Sequence, residues 1–301
     1  MRVSYIIPTY NRAHLVLKTI KSIEKQPYKL KEIIVVDDAS TDNLQEVIKQ
    51  QNCDYLKYIK CDKNRGQNHA RNLGIKQSSS DIVTIMDSDD QDYGNDLTPI
   101  VEFFKNNESI SSVFTPVISQ KNRKILSNIK KCYSPMGFKE LLNGTCSGEY
   151  QPFFRTKKLP EMFFHENLNI KRSCTFLSYF DFYQKEKFTI LPLVTKLYND
   201  IHNERLGNIH KINEDANELI ECYSLILKNF GKDIYKTNKH YFNNLIIKIS
   251  YYILLSNGRL ESLKYLKKLK VNFSLFKMLP LITIFIFLGG KNTIRLRAFL
   301  K

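Results

Sequence analysis

Short apolar runs alternate with longer polar-apolar segments through the first hundred residues of the chain. Each run is rich in β-branched residues and nearly continuous, which is typical of a parallel strand buried on both faces. The predicted strands are Val3–Ile7, Glu32–Val36, Tyr55–Ile59 and Ile82–Met86. The predicted helices between them are Ala13–Lys25, Leu44–Gln50 and Asn68–Gln77. This alternation predicts an α/β fold, in which a mostly parallel sheet is flanked by helices.

The pattern becomes less regular further along the chain. A helix over Asn95–Lys105 and a strand over Val113–Ile118 precede a polar stretch at 120–143, which predicts a loop-rich region. Further predicted elements are a strand at Tyr150–Arg155, a helix at Thr175–Gln184 and a strand at Phe188–Leu191. In the last part of the chain, apolar residues recur at helical spacing throughout. We therefore predict one α/β domain over 1–214 and a helical C-terminal extension over 215–301.

The charge of the chain is strongly basic and unevenly distributed. The 301 residues include 46 Lys and Arg against 30 Asp and Glu, a formal net charge of +16. From residue 216 to 301 there are 12 Lys and 3 Arg against 4 acidic residues, so +11 of that charge lies in this stretch. Such a balance predicts anionic partners: nucleic acid, phosphorylated small molecules or an anionic membrane face.

Cysteine and histidine spacing excludes some classes of site. The six cysteines form no C-x-x-C pair, and no secretory leader precedes the first apolar run at Val3. We therefore expect a reduced, cytoplasmic protein. The six histidines form no H-x-x-x-H or H-E-x-x-H array, which argues against a zinc site of that kind.

Three polar blocks follow directly after predicted strands, where open α/β sheets bind their ligands. They are Pro8-Thr9-Tyr10-Asn11-Arg12, Asp37-Asp38-Ala39-Ser40-Thr41-Asp42 and Asp87-Ser88-Asp89-Asp90. One acidic strand end is commonly only a helix cap, but two in one sheet beside an arginine-bearing turn favour a ligand site. The Asp-Ser-Asp triplet supplies hard oxygen ligands suited to Mg²⁺ or Mn²⁺ together with a diphosphate and water. Arg65 and Arg71 add positive charge at a helix start, where an anion is favoured.

These blocks resemble the family 2 glycosyltransferases of the GT-A fold, and the resemblance is dense over residues 3–92. Besides the three blocks it rests on Val35-Val36, Asn64-x-Gly66, Ala70-Arg71-Asn72-x-Gly74 and Met86. The donor-binding residues that the resemblance implies are Pro8, Thr9, Tyr10, Arg12, Asp38, Arg71, Asp87 and Ser88. It implies that Asp38 reads the base, usually uracil, and that Arg71 approaches the donor. The implied ligands of Mn²⁺ or Mg²⁺ are Asp87, Asp89 and His202.

The match is thinner between residues 143 and 206, in a part that resembles the acceptor half of the family. It rests on Gly148-Glu149-Tyr150, Phe164-x-Glu166-Asn167-Leu168, Tyr198 through His202, and Arg205-Leu206. The family usually places an acidic catalytic base shortly after the Phe-x-Glu-x-Leu stretch. This chain reads Lys171-Arg172-Ser173-Cys174-Thr175 there. Glu149 and Glu166 are the nearest acidic substitutes, and both are candidates for the base.

An uncharged run of 13 residues, Met278–Gly290, lies between Lys277 and Lys291. At about 1.5 Å per residue it reaches roughly 20 Å as a helix, short of the ~30 Å hydrocarbon core, so it is not expected to span a membrane. Aliphatic side chains flanked only by cations are typical of an interfacial anchor on anionic lipid. A buried core helix is the alternative.

The resemblance and the charge together predict a metal-dependent glycosyltransferase whose GT-A domain, 1–214, binds the nucleotide-sugar and carries the catalytic site. It would move a sugar from a UDP-linked donor, with inversion, to a lipid-linked glycan acceptor in capsule- or O-antigen-type polysaccharide synthesis. We expect it to lie on the inner face of the cell membrane as a peripheral protein, without a nucleic-acid partner. Two alternatives stay open: a non-enzymatic basic protein that binds nucleic acid or lipid, and a homologue with impaired catalysis.

Overall fold

The computed structural model describes residues 1–51, 53–129, 131–166, 174–201 and 216–256. The chain divides into two units, residues 1–202 and residues 203–301. The predicted domain boundary after residue 214 lies outside the described residues and stays a prediction.

The first unit is built on a mixed sheet, which has nine strands within the described residues. The strands are β1 Val3–Thr9, β2 Lys31–Asp37, β3 Leu56–Lys60, β4 Ile82–Ile85, β5 Gln91–Asp92, β6 Ser112–Ser119, β7 Tyr150–Arg155, β8 Phe188–Ile190 and β9 Lys196–Tyr198. Their order is β3-β2-β1-β4-β7-β6-β9-β5, and β8 pairs with β6 outside that path. The first four strands are parallel, whereas β7 runs antiparallel to β4 and β6. The predicted fold, a mostly parallel sheet with flanking helices, is confirmed.

Six α-helices of the first unit lie within the described residues. They are α1 Ala13–Glu24, α2 Leu44–Lys49, α3 Gln67–Gln77, α4 Thr98–Asn106, α5 Phe138–Leu142 and α6 Thr175–Tyr183. Helix α4 begins later than the predicted Asn95, because Asp96 accepts the backbone N–H of Thr98 at 3.1 Å and a proline follows in the first turn.

The central strands are buried because helices cover both faces of the sheet. All seven residues of β1 and all seven of β2 are buried, as a continuous apolar run predicts. On one face, Val3 and Ile7 belong to the same core cluster as Phe104 of α4. On the other face, Ile6 belongs to a cluster rich in aromatic residues. Thr9 pairs with Asp37, so the polar blocks after β1 and β2 meet at one edge.

Three elements have no counterpart among the sequence predictions. Helix α5 lies inside the stretch 120–143, which the polar composition predicts as loop. Strands β5 and β9 contain two and three residues, and so short a segment shows no alternation of apolar and polar positions. Their pairing with each other and of β9 with β6 defines them instead.

Helix α3 packs unusually close to β1. A Cβ atom added at Gly74 would lie only 2.3 Å from Cγ2 of Ile6, so a larger residue at this position forces the helix away from the strand. The close approach fixes α3, and with it Arg71 on the preceding turn, against the carboxyl edge of the sheet.

The described part of the second unit consists of two helices, α7 Ala216–Thr237 and α8 Lys239–Ser256. The ring of Tyr223 stacks on Tyr252 with centroids 6.0 Å apart, and that of Tyr235 packs edge-on against Phe242 at 5.2 Å. These pairs show that the two helices run antiparallel. Among the helices described, none combines the length and the apolar character needed to cross a membrane. The predicted anchor, Met278–Gly290, lies outside the described residues.

Candidate functional site

The turns after β1 and β2 interlock at the carboxyl edge of the sheet. The backbone N–H of Asn11 donates to Ser40 Oγ at 2.9 Å, and that of Thr41 donates to Asn11 Oδ1 at 2.8 Å. Asn11 and Ala39 have φ angles of 51° and 65°, in the left-handed region. The interlocked turns leave the Tyr10 ring 45% exposed, as a flat surface on which a base can stack.

Asp38 lies buried beneath the loop that leads into α3. Its backbone N–H donates to the carbonyl of Thr9, next to Pro8 at the end of β1, at 2.9 Å. Its carboxylate accepts the N–H groups of Arg65 at 2.9 Å and Gly66 at 2.7 Å. Asp38 therefore fixes the shape of the edge, and its predicted contact with a base stays a prediction.

Arg71 reaches from α3 to the acidic block after β4. Its Nη2 donates to Asp87 Oδ1 at 3.1 Å and its Nη1 to Thr175 Oγ1 at 3.4 Å. Gln67, one helical turn earlier, donates to the same Asp87 oxygen at 3.2 Å. The guanidinium carbon of Arg71 lies 5.2 Å from the ring centre of Phe164. A planar guanidinium held in this way is well suited to bind a phosphate group.

Each carboxylate of the acidic block has a basic side chain beside it. The pairs are Arg12–Asp89 at 3.3 Å, Arg71–Asp87 at 3.1 Å and Lys196–Asp90 at 2.9 Å between nitrogen and oxygen. Burial on its own raises the pKa of Asp87, but the charges of Arg71 and Lys196 outweigh it and hold that pKa below its ordinary value. Within the block, three negative charges are thus matched by three positive ones.

Asp90, the last residue of the acidic block, forms a buried pair with Lys196, which the sequence does not reveal as part of the site. Asp90 is fully buried and also accepts the backbone N–H of Asn199 at 2.9 Å. Burial on its own lowers the pKa of Lys196, but the Asp90 carboxylate outweighs it and raises the pKa above its ordinary value. The hydroxyl of Thr19 lies 2.6 Å from the Asp90 carbonyl and 3.0 Å from that of Ser88. Helix α1 and strand β9 therefore hold the acidic block from two sides.

Glu149 lies exposed at the start of β7, on the predicted acceptor side of the site. Its backbone N–H donates to the Leu126 carbonyl at 3.2 Å. The preceding Gly148 has a φ of 103°, and a Cβ there would lie 2.0 Å from the same carbonyl oxygen, so this turn requires glycine. Burial lowers the pKa of Lys196, and the charges that raise it against burial are those of Asp90, Asp87 and, more weakly, Glu149. Glu149 therefore lies within electrostatic range of the acidic block.

Glu166 is held by two side chains of α3. Its Oε1 accepts a hydrogen bond from Asn72 Nδ2 at 2.7 Å, and its Oε2 lies 2.8 Å from His69 Nδ1. Burial on its own raises the pKa of Glu166, but the hydrogen bonds from Asn72 and His69 outweigh it and hold the pKa below its ordinary value. Asn72 also exchanges hydrogen bonds with the backbone of Phe164 at 2.7 and 2.9 Å. These contacts give Glu166 a part in joining the acceptor side to α3.

Tyr179, on α6, is a further residue that sequence reasoning misses, since an aromatic residue in an apolar helix is typical of a core. Its ring packs against Phe114 and Phe163, with centroids 5.9 and 6.0 Å apart. Burial raises the pKa of Tyr179, and the charges of Arg71 and Lys196 partly oppose the shift. Its hydroxyl is thus within electrostatic range of the same cations.

The predicted third metal ligand, His202, lies outside the described residues, as do residues 171–173, where the family places its base. Among the residues that the structure does describe, no three or more His, Cys, Asp or Glu side chains are grouped to hold a metal ion. Asp87 and Asp89 offer two hard ligands, a set that suits an ion also bound by diphosphate oxygens and water.

The family model for glycosyl transferase family 2 matches the chain over residues 4–167, more than half of its length. The chain belongs to this family. The family predicted from the sequence blocks is confirmed, and the match extends beyond them into the acceptor side at Glu166.

Curated relatives are similar to part of this chain. A GalNAc(5)-diNAcBac-PP-undecaprenol beta-1,3-glucosyltransferase of Campylobacter jejuni is 33% identical over 176 residues, 55% of this chain and 55% of that protein. A poly-beta-1,6-N-acetyl-D-glucosamine synthase of Staphylococcus epidermidis is 34% identical over 113 residues, 37% of this chain and 27% of that protein. The chain thus spans about half the length of the first relative and less of the second.

Solved structures show the same fold. S. aureus TarS 1-349 in complex with UDP-GlcNAc aligns with a TM-score of 0.59 and 19% identity, over 85% of this chain and 81% of that one. The mannosyltransferase PcManGT of Pyrobaculum calidifontis, in complex with GDP-Man and Mn²⁺, aligns with a TM-score of 0.57 and 17% identity, over 95% and 85%. The predicted GT-A architecture is confirmed at the level of the fold.

Proposed function

We propose that the protein is a glycosyltransferase that binds a nucleotide-sugar donor at the carboxyl edge of β1, β2 and β4. The observation that carries the proposal is that Arg12 pairs with Asp89 and Arg71 with Asp87 at this edge, in a family 2 chain. Guanidinium groups bind diphosphate oxygens through paired hydrogen bonds, and neighbouring carboxylates bind sugar hydroxyls or a metal ion.

The proposed donor is UDP-linked. TarS binds UDP-GlcNAc in its complex, which supports a uridine nucleotide, whereas PcManGT binds GDP-Man and makes a GDP-linked sugar the alternative. In this assignment Tyr10 stacks on the base, Asp38 hydrogen-bonds to it, and Thr9 after Pro8 shapes the floor of the site. Ser88 keeps the acidic block in place at the sugar end.

A divalent ion, Mn²⁺ or Mg²⁺, fits the two-carboxylate donor set of Asp87 and Asp89, and His202 is the proposed third ligand. When bound, such an ion would neutralise charge on the departing diphosphate. Arg12 and Arg71 neutralise these two carboxylates in the structure. Because the phosphates of the nucleotide attract both arginines, nucleotide binding would free the carboxylates for the ion. The same two arginines then stabilise the leaving group.

Transfer with inversion needs a base that removes the proton of the acceptor hydroxyl during a single direct displacement. Glu149 is the preferred candidate, because its carboxylate is exposed on the acceptor side and within electrostatic range of Lys196. Glu166 is the weaker candidate, because Asn72 and His69 already hold its carboxylate.

The proposed acceptor is a lipid-linked glycan in capsule- or O-antigen-type polysaccharide synthesis. The name of the Campylobacter jejuni relative specifies an undecaprenol-linked glycan, which supports a lipid-linked acceptor. We place the protein on the inner face of the cell membrane, with Met278–Gly290 and its flanking cations as an interfacial anchor on anionic lipid and no nucleic-acid partner.

Release of nucleoside diphosphate from a panel of UDP- and GDP-sugars, with Mn²⁺ and an extracted lipid-linked acceptor, tests the proposal. We expect release with one UDP-sugar and its loss in Asp89→Ala. Binding without release would instead favour a nucleotide-sugar-binding homologue that lacks transfer, a reading that the basic stretch at residues 171–175 supports. Absence of any nucleotide binding would contradict both.

A further inference from the structure

A second basic region lies in the first unit, far in sequence from the basic extension. The segment from Gln120 to Lys139, here called the basic loop, contains five Lys, one Arg and no Asp or Glu. Of its cations, those described as exposed are Lys121, Arg123, Lys124, Lys131 and Lys139. The basic loop is therefore a concentrated positive surface on the unit that carries the candidate site.

Large apolar side chains are exposed among these cations. Ile125 is 48% exposed, Ile129 40% and Tyr133 63%. Exposed apolar side chains that are concentrated in one segment mark an interaction surface. Cations interleaved with apolar side chains suit a lipid interface, where Ile125 and Ile129 insert, the Tyr133 ring lies at the headgroup level and the cations meet headgroups. A nucleic-acid surface would instead favour several aromatic side chains for stacking, and among the described residues of the loop only Tyr133 is an exposed aromatic.

The backbone of the basic loop is fixed to the sheet at both ends. The N–H of Arg123 donates to the Ser119 carbonyl at 3.0 Å, and that of Leu126 donates to the Val117 carbonyl at 3.0 Å. Further along, the N–H of Tyr133 donates to the carbonyl of Ile190 at 2.9 Å. The exposed side chains are thus presented by an anchored backbone, which lowers the entropy lost on docking.

Acidic residues also lie beside the loop. Asp200 accepts the Ser119 hydroxyl at 2.5 Å and the backbone N–H of Lys121 at 2.8 Å, and Glu140 accepts the backbone N–H of Gly137 at 2.9 Å. Together with the adjoining Glu149 they offset part of the positive charge, so the five exposed cations leave the surface with a smaller positive excess.

The basic loop also adjoins the acceptor side of the site. The Leu126 carbonyl accepts the N–H of Glu149, and the N–H of Asn128 donates to the Ser147 carbonyl at 3.0 Å. A membrane that contacts the loop therefore lies next to the residue we favour as the base.

We propose that the basic loop docks the first unit on an anionic phospholipid bilayer and turns the acceptor side of the site toward the membrane. Docking itself does not depend on the proposed function. Only the advantage of this orientation rests on it, since a lipid-linked acceptor would reach Glu149 from the membrane plane. The surface acts in addition to the basic extension, because it lies on a separate unit and carries its own apolar groups.

The test measures partition of the full chain onto vesicles containing phosphatidylglycerol, against vesicles of phosphatidylcholine alone. The loop variant is Lys121→Glu, Arg123→Glu and Lys124→Glu. The matched control changes two exposed lysines of α1 and the exposed lysine that follows it, Lys18→Glu, Lys21→Glu and Lys25→Glu, which alters net charge equally. A cation near an anionic surface changes the partition coefficient roughly fivefold, so loss of the three cations alone should lower vesicle binding about 100-fold, and the three new carboxylates should lower it further. The control should change little, because salt screens charges beyond about 10 Å.

Calorimetry of UDP binding reports on each variant's fold and donor site. If the charge reversals disturb folding, the comparison is repeated with glutamine in place of glutamate at the same three positions of the loop variant and of the control. A further variant combines Ile125→Ser with Ile129→Ser. It should bind vesicles more weakly at high salt, where the apolar contribution remains. If the parent does not bind UDP, the proposed function is wrong, but the comparison of vesicle binding between the variants remains valid.

If the loop variant and the α1 control lose vesicle binding equally, the effect comes from net charge alone and the proposal is overturned. Unchanged vesicle binding in the loop variant would overturn it too, as would a parent that does not bind anionic vesicles. Loss of binding to nucleic acid with vesicle binding intact would reassign the surface.

Discussion

Replacement of Arg12 by glutamine should change nucleotide and metal binding in opposite directions. Arg12 neutralises Asp89 at 3.3 Å in the structure, and in the proposed complex it binds the diphosphate instead. Its removal frees a metal ligand and deletes a phosphate ligand. Arg12→Gln should therefore bind Mn²⁺ alone more tightly and UDP alone more weakly than the parent.

The geometry of the pair sets the size of the effect. Two charges 3.3 Å apart interact by about 1 kcal/mol at the dielectric constant of water and by about 5 kcal/mol at an effective value of 20. The Arg12 side chain is 20% exposed and that of Asp89 is 9% exposed, so solvent weakens the attraction. We take about 1 to 2 kcal/mol, which corresponds to a change of about 5- to 30-fold in each affinity.

Electron paramagnetic resonance of free Mn²⁺ measures the weak metal binding, and calorimetry measures UDP binding with and without Mn²⁺. The coupling between the two ligands must be the same whichever is added first, which checks the data. Lys105→Gln is the control, since its pair with Glu102 on α4 is exposed and remote from the block. Weaker binding of Mn²⁺ alone by Arg12→Gln, or unchanged binding of UDP, would show that Arg12 does not pass from Asp89 to the diphosphate.

Three further predictions concern the support of the site. Lys196→Met leaves the fully buried Asp90 charge unpaired and should cost about 3–5 kcal/mol of stability in urea unfolding; the double variant with Asp90→Asn should recover much of it, and no recovery would contradict the pairing. Gly74→Ala should lower the free energy of unfolding by about 1–3 kcal/mol, and it should weaken UDP binding because the added methyl group shifts α3. Stability and UDP affinity equal to those of the parent would show that the helix can move without cost. Glu149→Gln should lower turnover by at least about 100-fold with UDP affinity intact, and Glu166→Gln should mainly lower stability; the reverse pattern would exchange their roles.

The polar residues at the carboxyl edge of the sheet were predictable, because the signal for them lies in short stretches of sequence. A buried parallel strand shows as an apolar run, and the residues that follow such runs meet at one edge of the sheet. Thr9 opposite Asp37 shows this directly. The blocks that follow those strands therefore predict that Arg12, Asp87 and Asp89 lie at one edge of the sheet, and the structure places Arg12 beside Asp89 there.

The support of that edge was not predictable, because it depends on contacts between distant parts of the chain. Lys196 lies on a strand of three residues, too short for a periodic signal, and its role follows only from its contact with Asp90. In the sequence, Thr19 is an ordinary position of an amphipathic helix. In the structure, its hydroxyl lies within hydrogen-bonding distance of two carbonyls of the acidic block. Glu166 carries the family's spacing, but only the contacts with Asn72 and His69 reveal how its carboxylate is held.

A crystal structure of the full chain with UDP and Mn²⁺ would show whether the two arginines exchange their carboxylate partners for the diphosphate. We expect the diphosphate within hydrogen-bonding distance of Arg12 and Arg71, and an anomalous peak for Mn²⁺ beside Asp87 and Asp89. Both arginines should have left the carboxylates that they neutralise here. A nucleotide bound away from this edge, or bound here with both ion pairs intact, would contradict the account.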